Sequence, residues 1–150
     1  VWQSDEDGYY DVQRPPATPE EHVHRARAKL TTDSNGRYYF RSILAQPYPI
    51  PHDGPVGAML EELGRHPWRP AHLHFMLSEP KHERLITHVF RDGDKYLDSD
   101  AVFGVRSTLI SDWVRHDAGV AADGTKMDHP YHSLNYDFVL NPLKLDADKL

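Results

Sequence analysis

Period-two alternation of apolar and polar positions recurs along this 150-residue chain and predicts a protein built from short strands. It appears first over 25–32, where Ala26, Ala28 and Leu30 oppose Arg25, Arg27 and Lys29. Asp33-Ser34-Asn35-Gly36 supplies a turn suited to positive φ, and 37–43 reads as the returning, aromatic-rich arm of a hairpin. Further strands are predicted at 71–78 and 84–90, with a turn at 91–94 and a final strand over 135–140. Val1-Trp2-Gln3 reads as the end of a strand, 4–8 as a polar turn, and 9–13 and 103–105 as short extended pieces. Residues 111–132 read as polar and irregular, and 144–150 as a frayed tail. Helical spacing occurs over 56–63, where Gly64 stops it. Proline-rich loops occupy 14–21 and 45–55, the second a stiff segment around Tyr48. The expected fold is all-β: a β-sandwich of short strands with long loops and one short helix, with 1–150 as a single domain.

Composition narrows the function more than the fold. A net charge of −6 argues against nucleic acid or an anionic membrane as the main partner. Cysteine is absent, which excludes disulfides and thiolate metal sites and fits a reducing, cytoplasmic setting. No apolar run reaches the roughly 20 residues that span a bilayer. The chain holds 11 His and 8 Tyr, so any metal ligands are oxygen and nitrogen donors. Neither an initiator Met nor a turn precedes Val1, so the chain reads as a piece of a longer protein.

His72-Leu73-His74 is the first candidate for chemistry. On a strand both imidazoles face one way and Leu73 and Phe75 the other. Two residues along a strand advance about 6.5–7 Å, a gap that converging imidazoles close onto one metal ion. Pro70 suits the start of such a strand. Taken alone, the pair reads equally as two hydrogen-bonded histidines on a sheet face. A second pair, His22-Val23-His24, reads as loop histidines beside prolines and glutamates.

A longer series of motifs changes that balance. It comprises Trp2-Gln3, Tyr10-Asp11-Val12-Gln13, Thr32-Asp33, Gly36-Arg37-Tyr38, Tyr48-Pro49-Ile50-Pro51, Asp53-Gly54-Pro55 and Gly64-Arg65-His66. Arg69-Pro70-Ala71-His72-Leu73-His74-Phe75 follows, then Leu85, Thr87-His88, Gly93-Asp94 and Asp100-Ala101-Val102-Phe103-Gly104-Val105. In this order and spacing the chain closely resembles the intradiol ring-cleavage dioxygenases, non-haem iron enzymes that open catechols between their hydroxyls. The resemblance implies one ferric ion (Fe3+) per chain, held by Tyr10, Tyr48, His72 and His74. Tyr10 is preferred to Tyr9 because it stands eight residues after Trp2, and Tyr48 stands 24 residues before His72, both as in the family. A ferric ion favours the phenolate of tyrosine, whose free pKa is near ~10.

The resemblance also implies that Tyr48 gives way to the diol and accepts one of its protons. Arg69 would face the bound ring and stabilise negative charge, since a guanidinium is no base at neutral pH. His88 stands where the catechol-cleaving branch carries glutamine, and the sequence around it looks like the hydroxyquinol-cleaving branch; a structural histidine is the other reading. Ala101 would replace a larger aromatic and leave room for a third ring hydroxyl, with Val102 and Ile50 as further pocket walls. The implied partners are a small aromatic diol and O2, and the implied product is a muconate- or maleylacetate-type dicarboxylic acid. Family members also carry a strand before Val1 and an N-terminal helical region that supplies a homodimer contact and part of the pocket; neither is in this sequence. Three rival readings stand beside this one: a catechol-cleaving enzyme of the same family, a non-catalytic β-sandwich binding module, and a zinc hydrolase using His72, His74 and a carboxylate.

Overall fold

The computed structural model describes residues 1–14, 18 and 26–143. In chain order its elements are β1 (Tyr48–Pro49), α1 (Pro55–Glu62), β2 (Trp68–Arg69), β3 (His72–Leu77), β4 (Leu85–Arg91), β5 (Ile110–Ser111), β6 (Val114–His116), β7 (Gly119–Val120), β8 (Lys126–Met127) and β9 (Tyr131–Ser133). Strands dominate, and α1 is the one α-helix among the described residues. None of these elements is a helix long and apolar enough to cross a membrane.

The central sheet is β3–β4–β5, with β3 antiparallel and β5 parallel to β4. Alternation in β3 and β4 sorts their side chains by face. Leu73, Phe75 and Val89 point into the apolar core, where Tyr38, Phe40, Trp113, Leu134, Tyr136 and Phe138 pack against them. His72, His74, His88 and Phe90 share the opposite face, because the register sets His72 against Phe90 and His74 against His88. Val1 to Gln3 extend the sheet beyond β3. Trp2 exchanges both backbone hydrogen bonds with His74 (3.1 and 2.8 Å), while Gln3 donates to Ala26 O and Ala28 to Val1 O (3.0 Å each). Val1 to Gln3 is therefore an extended piece lying between two neighbours, as its pattern predicts.

The predicted strands at 71–78 and 84–90 form as β3 and β4, and the predicted helix forms as α1. Pro55 opens α1 and Gly64, at φ 61°, lies just beyond its C-cap Leu63. Gly57 lets α1 lie against the preceding loop: a Cβ there would sit 1.8 Å from His52 O. The 45–55 loop holds β1, which pairs with β2 and sets Tyr48 opposite Arg69.

Several expectations need correction. The 33–36 turn closes, with Asp33 N–H donating to Arg37 O (2.9 Å), but its arms do not form a laddered hairpin among the described residues. Ala26, at φ 54°, is left-handed where a continuous strand would have to run, and Leu30 stays exposed. The predicted strand at 135–140 likewise carries no ladder. Its alternation is nonetheless used: Tyr136 and Phe138 turn toward the core while Asn135, Asp137 and Val139 face solvent. Residues 11–13 are a 3₁₀ turn rather than extended, closed by Gln13 N–H donating to Tyr10 O (2.8 Å). Phe103, at φ 56°, is left-handed rather than extended. The stretch 111–132 is more ordered than its polarity predicts, since β7 pairs with β8 and β6 with β9. His22, His24, Arg25, the prolines of the first loop and the 144–150 tail lie outside the described residues.

Candidate metal centre

Three stretches of chain deliver the site. β3 presents His72 and His74 side by side; β1, tied to β2, presents Tyr48; and Tyr10 arrives at the N-terminal end of the 11–13 turn. Tyr10 is fixed locally: Gln13 Oε1 accepts its backbone N–H (2.8 Å). Tyr48 is fixed by close approach to Gly8, which takes φ 88° and whose replacement by alanine would place a Cβ 2.8 Å from Tyr48 Cβ.

The four candidate ligands converge through their polar tips. Tyr10 Oη donates to Tyr48 Oη (2.9 Å) and lies 2.8 Å from His74 Nε2. His74 Nε2 lies 3.1 Å from His72 Nε2. His72 Nδ1 donates to Pro70 O (2.6 Å), which leaves its Nε2 as a lone pair turned into the cluster. Burial, then the Arg69 charge, pushes the His72 pKa down to about 3. Burial, then His72, His88 and Arg69, pushes that of His74 down to about 2. Both imidazoles are therefore neutral, the state a metal ligand needs. Tyr10 is pushed up from the ordinary phenol value by burial and then by Tyr48.

Two phenols and two neutral imidazoles in one desolvated cluster hold lone pairs for a cation and no cation among themselves. Hard oxygen and borderline nitrogen donors without thiolate suit a highly charged transition-metal ion. The residues present fit ferric iron in donor type and number.

Arg69 is 6% exposed beside this cluster, with Nη1 lying 3.3 Å from His72 Nε2. Its other edge is clamped by Asp100, Nε to Oδ1 at 3.0 Å and Nη2 to Oδ2 at 3.2 Å, in the bidentate geometry that favours Arg over Lys. Asp100 Oδ2 also accepts Gly104 N–H (2.8 Å), so one carboxylate holds both the guanidinium and the 100–104 turn. Ala101 is buried in that turn and Val102 is exposed on it. Ile50 is half-buried just past β1, its N–H held by Pro67 O (3.0 Å).

The His88 ring lies 4.4 Å from that of His74 and 5.3 Å from that of His72. Burial lowers its pKa also, so it too sits neutral. The imidazoles of His72, His74 and His88 come within 4.8 Å of one another with no carboxylate in the group among the described residues. The zinc-hydrolase reading required such a carboxylate, and Asp100 is committed to Arg69.

Two contributors escape sequence reasoning. Trp2, a mere landmark in the motif series, stacks on His74, and Asp100, the opening letter of another motif, braces Arg69. Asp100 follows Asp98 and Ser99 as one acid among several, and neither it nor Trp2 carried a local signal for its contact.

A family model described as "Dioxygenase" matches residues 1–142. The 6-chlorohydroxyquinol 1,2-dioxygenase of Cupriavidus pinatubonensis is 57% identical over 142 residues, covering 95% of this chain and 46% of that protein. The hydroxyquinol 1,2-dioxygenase of Nocardioides simplex is 45% identical over 143 residues, covering 95% of this chain and 47% of that protein. Among solved structures, hydroxyquinol 1,2-dioxygenase from Pseudomonas putida DLL-E4 superposes with a TM-score of 0.82 at 39% identity, covering 95% of this chain and 49% of the other. This chain thus spans about half the length of the relatives it matches. It belongs to the intradiol ring-cleavage dioxygenase family.

Proposed function

We propose that this chain forms the iron-binding part of an enzyme that opens hydroxyquinol between its adjacent hydroxyls with O2. The ring's carbon–carbon bond between them breaks, and both oxygen atoms of O2 enter a maleylacetate-type dicarboxylic acid. Tyr10, Tyr48, His72 and His74 hold the metal. The observation that carries the reading is the junction of both Tyr Oη atoms and both His Nε2 atoms through contacts of 2.8–3.1 Å.

Bound there, ferric iron would supply Lewis-acid activation of the diol toward O2. Each neighbouring residue has a separate task. Tyr48 Oη, a phenolate while it holds the metal, would take one hydroxyl proton of the incoming diol. Arg69, held by Asp100, turns Nη1 toward the reacting centre and stabilises negative charge as it builds on the ring. Its burial strengthens that effect by excluding water. His88, neutral and against His74, orients the substrate. Ile50, Ala101 and Val102 wall the pocket, and the small Ala101 leaves space for a third hydroxyl.

The names of the similar proteins favour hydroxyquinol over catechol, and His88 and Ala101 agree with them. The remaining features belong to the same proposal: a two-layer β-sandwich with Tyr38, Phe40, Tyr136 and Phe138 in the second layer, a cytoplasmic enzyme, and a homodimer.

The test is the visible spectrum of the iron-loaded full chain, together with O2 uptake on hydroxyquinol and catechol. A red-brown tyrosinate-to-iron band is expected, and Tyr48→Phe should remove most of the band and of turnover. A colourless iron-replete chain, or a Tyr48→Phe spectrum identical to the parent's, would overturn the assignment.

A further inference from the structure

His72 and His74 are held in different ways. His72 donates Nδ1–H to a carbonyl, the common arrangement for an imidazole that presents Nε2 to a metal. His74 has no such partner on Nδ1 among the described residues; its contacts to Tyr10 and His72 both run through Nε2. Something else must set the plane of its ring.

That neighbour is Trp2. The indole and imidazole centroids are 4.8 Å apart and the rings only 4° from parallel. The two residues also exchange both backbone hydrogen bonds, so they form a directly opposed pair across neighbouring segments. On the other side of His74 its register partner His88 closes in at 4.4 Å, tilted by 57°. Trp2, His74 and His88 thus form one row of rings across three adjacent stretches of backbone.

We propose that Trp2 is the positioning residue for His74, its stacked indole fixing the ring plane that a hydrogen bond fixes for His72. The inference rests on the ferric-site reading above. General packing does not account for the arrangement. Trp2 is only half-buried, and it bridges to the His74 side of β3 rather than joining the cluster around Leu73, Phe75 and Val89. The hydrogen bond on the far nitrogen fixes the His72 ring, leaving His74 the one whose aim depends on packing.

Ferric-ion titration of the full chain tests this, using Trp2→Phe, which keeps a flat ring, and Trp2→Met, which keeps apolar bulk without one. Loss of an orienting partner commonly costs a metal site about 10–100-fold in affinity. Trp2→Met is expected to weaken iron binding by that range and to shift the tyrosinate-to-iron band, while Trp2→Phe stays within about threefold of the parent. In the metal-free chain the His74 ring protons should resonate upfield under the indole, less so in Trp2→Phe, and lose the shift in Trp2→Met. Unchanged affinity and spectrum in Trp2→Met would overturn the proposal, as would equal losses in both variants. If the unmodified chain takes up no ferric iron, the ferric-site reading fails on its own. The ring-proton shifts then decide Trp2: an upfield shift lost only in Trp2→Met supports the stack, and no shift in the parent removes it.

Discussion

Arg69 shows how much one residue's work depends on a partner far away in sequence. Its guanidinium is buried, and a buried cation is tolerated only when paired. Asp100 provides that pairing with two charge-assisted contacts while only 3% exposed itself. Truncating one partner of such a pair costs about 3–5 kcal/mol, mostly from the charge left behind, whereas replacing both by apolar residues is often near neutral. Asp100→Ala is therefore expected to destabilise the metal-free chain by about that amount in urea unfolding. Arg69→Met combined with Asp100→Leu should recover most of the loss. A single variant costing under ~1 kcal/mol would mean that solvent reaches the guanidinium. The Asp100→Ala protein should also lose activity beyond its loss of fold, because the two-point clamp that aims Nη1 at His72 is gone.

At the scale of elements, sequence pattern reports burial more faithfully than hydrogen bonding. β3 and β4 were readable because each has one core-facing apolar row and direct partners, so pattern and ladder coincide. At 135–140 the same pattern produces the burial without the ladder, and around Ala26 a left-handed residue interrupts what alternation predicted as a strand. The candidate ligands were named through family resemblance, whereas the contacts of Trp2 and Asp100 were not, since those contacts exist only once distant segments meet. Helix α1 gives a case where two local effects oppose each other. Alanine in place of a helical glycine normally gains about 0.8–1 kcal/mol. At Gly57 the new Cβ would lie 1.8 Å from His52 O, an overlap with backbone that no rotamer change relieves. The clash wins by magnitude: Gly57→Ala is expected to destabilise by at least ~1 kcal/mol, within the usual range for overpacking. A rise in thermal midpoint would show that propensity had prevailed.

Over the whole molecule, the candidate ligands join parts of the chain that lie far apart in sequence. Tyr10 meets His74 across 64 positions and Tyr48 across 38. The segment 1–14 is also fastened to β3 by the Trp2 backbone pair, to 26–28 by Gln3, Ala28 and an Asp11–Arg27 ion pair (2.9 Å), and to Ile43 O by Gln3 Nε2 (3.1 Å). A metal that binds the four tips together binds only the folded chain, because no single stretch contains the site. Such a ligand stabilises by about 2.7 kcal/mol at a free concentration 100 times its dissociation constant, and by about 4.1 at 1,000 times. Stripping iron with a chelator is therefore expected to lower the unfolding midpoint and to raise backbone amide exchange most over residues 1–14, with β3 and β4 protected longer. Tyr10→Phe should abolish most of that iron-dependent gain, on top of a drop of about 1–3 kcal/mol in the metal-free chain from its lost hydrogen bonds to Tyr48 and His74. If iron raised the midpoint equally in parent and variant, the ion would be binding elsewhere and Tyr10 would not be a ligand.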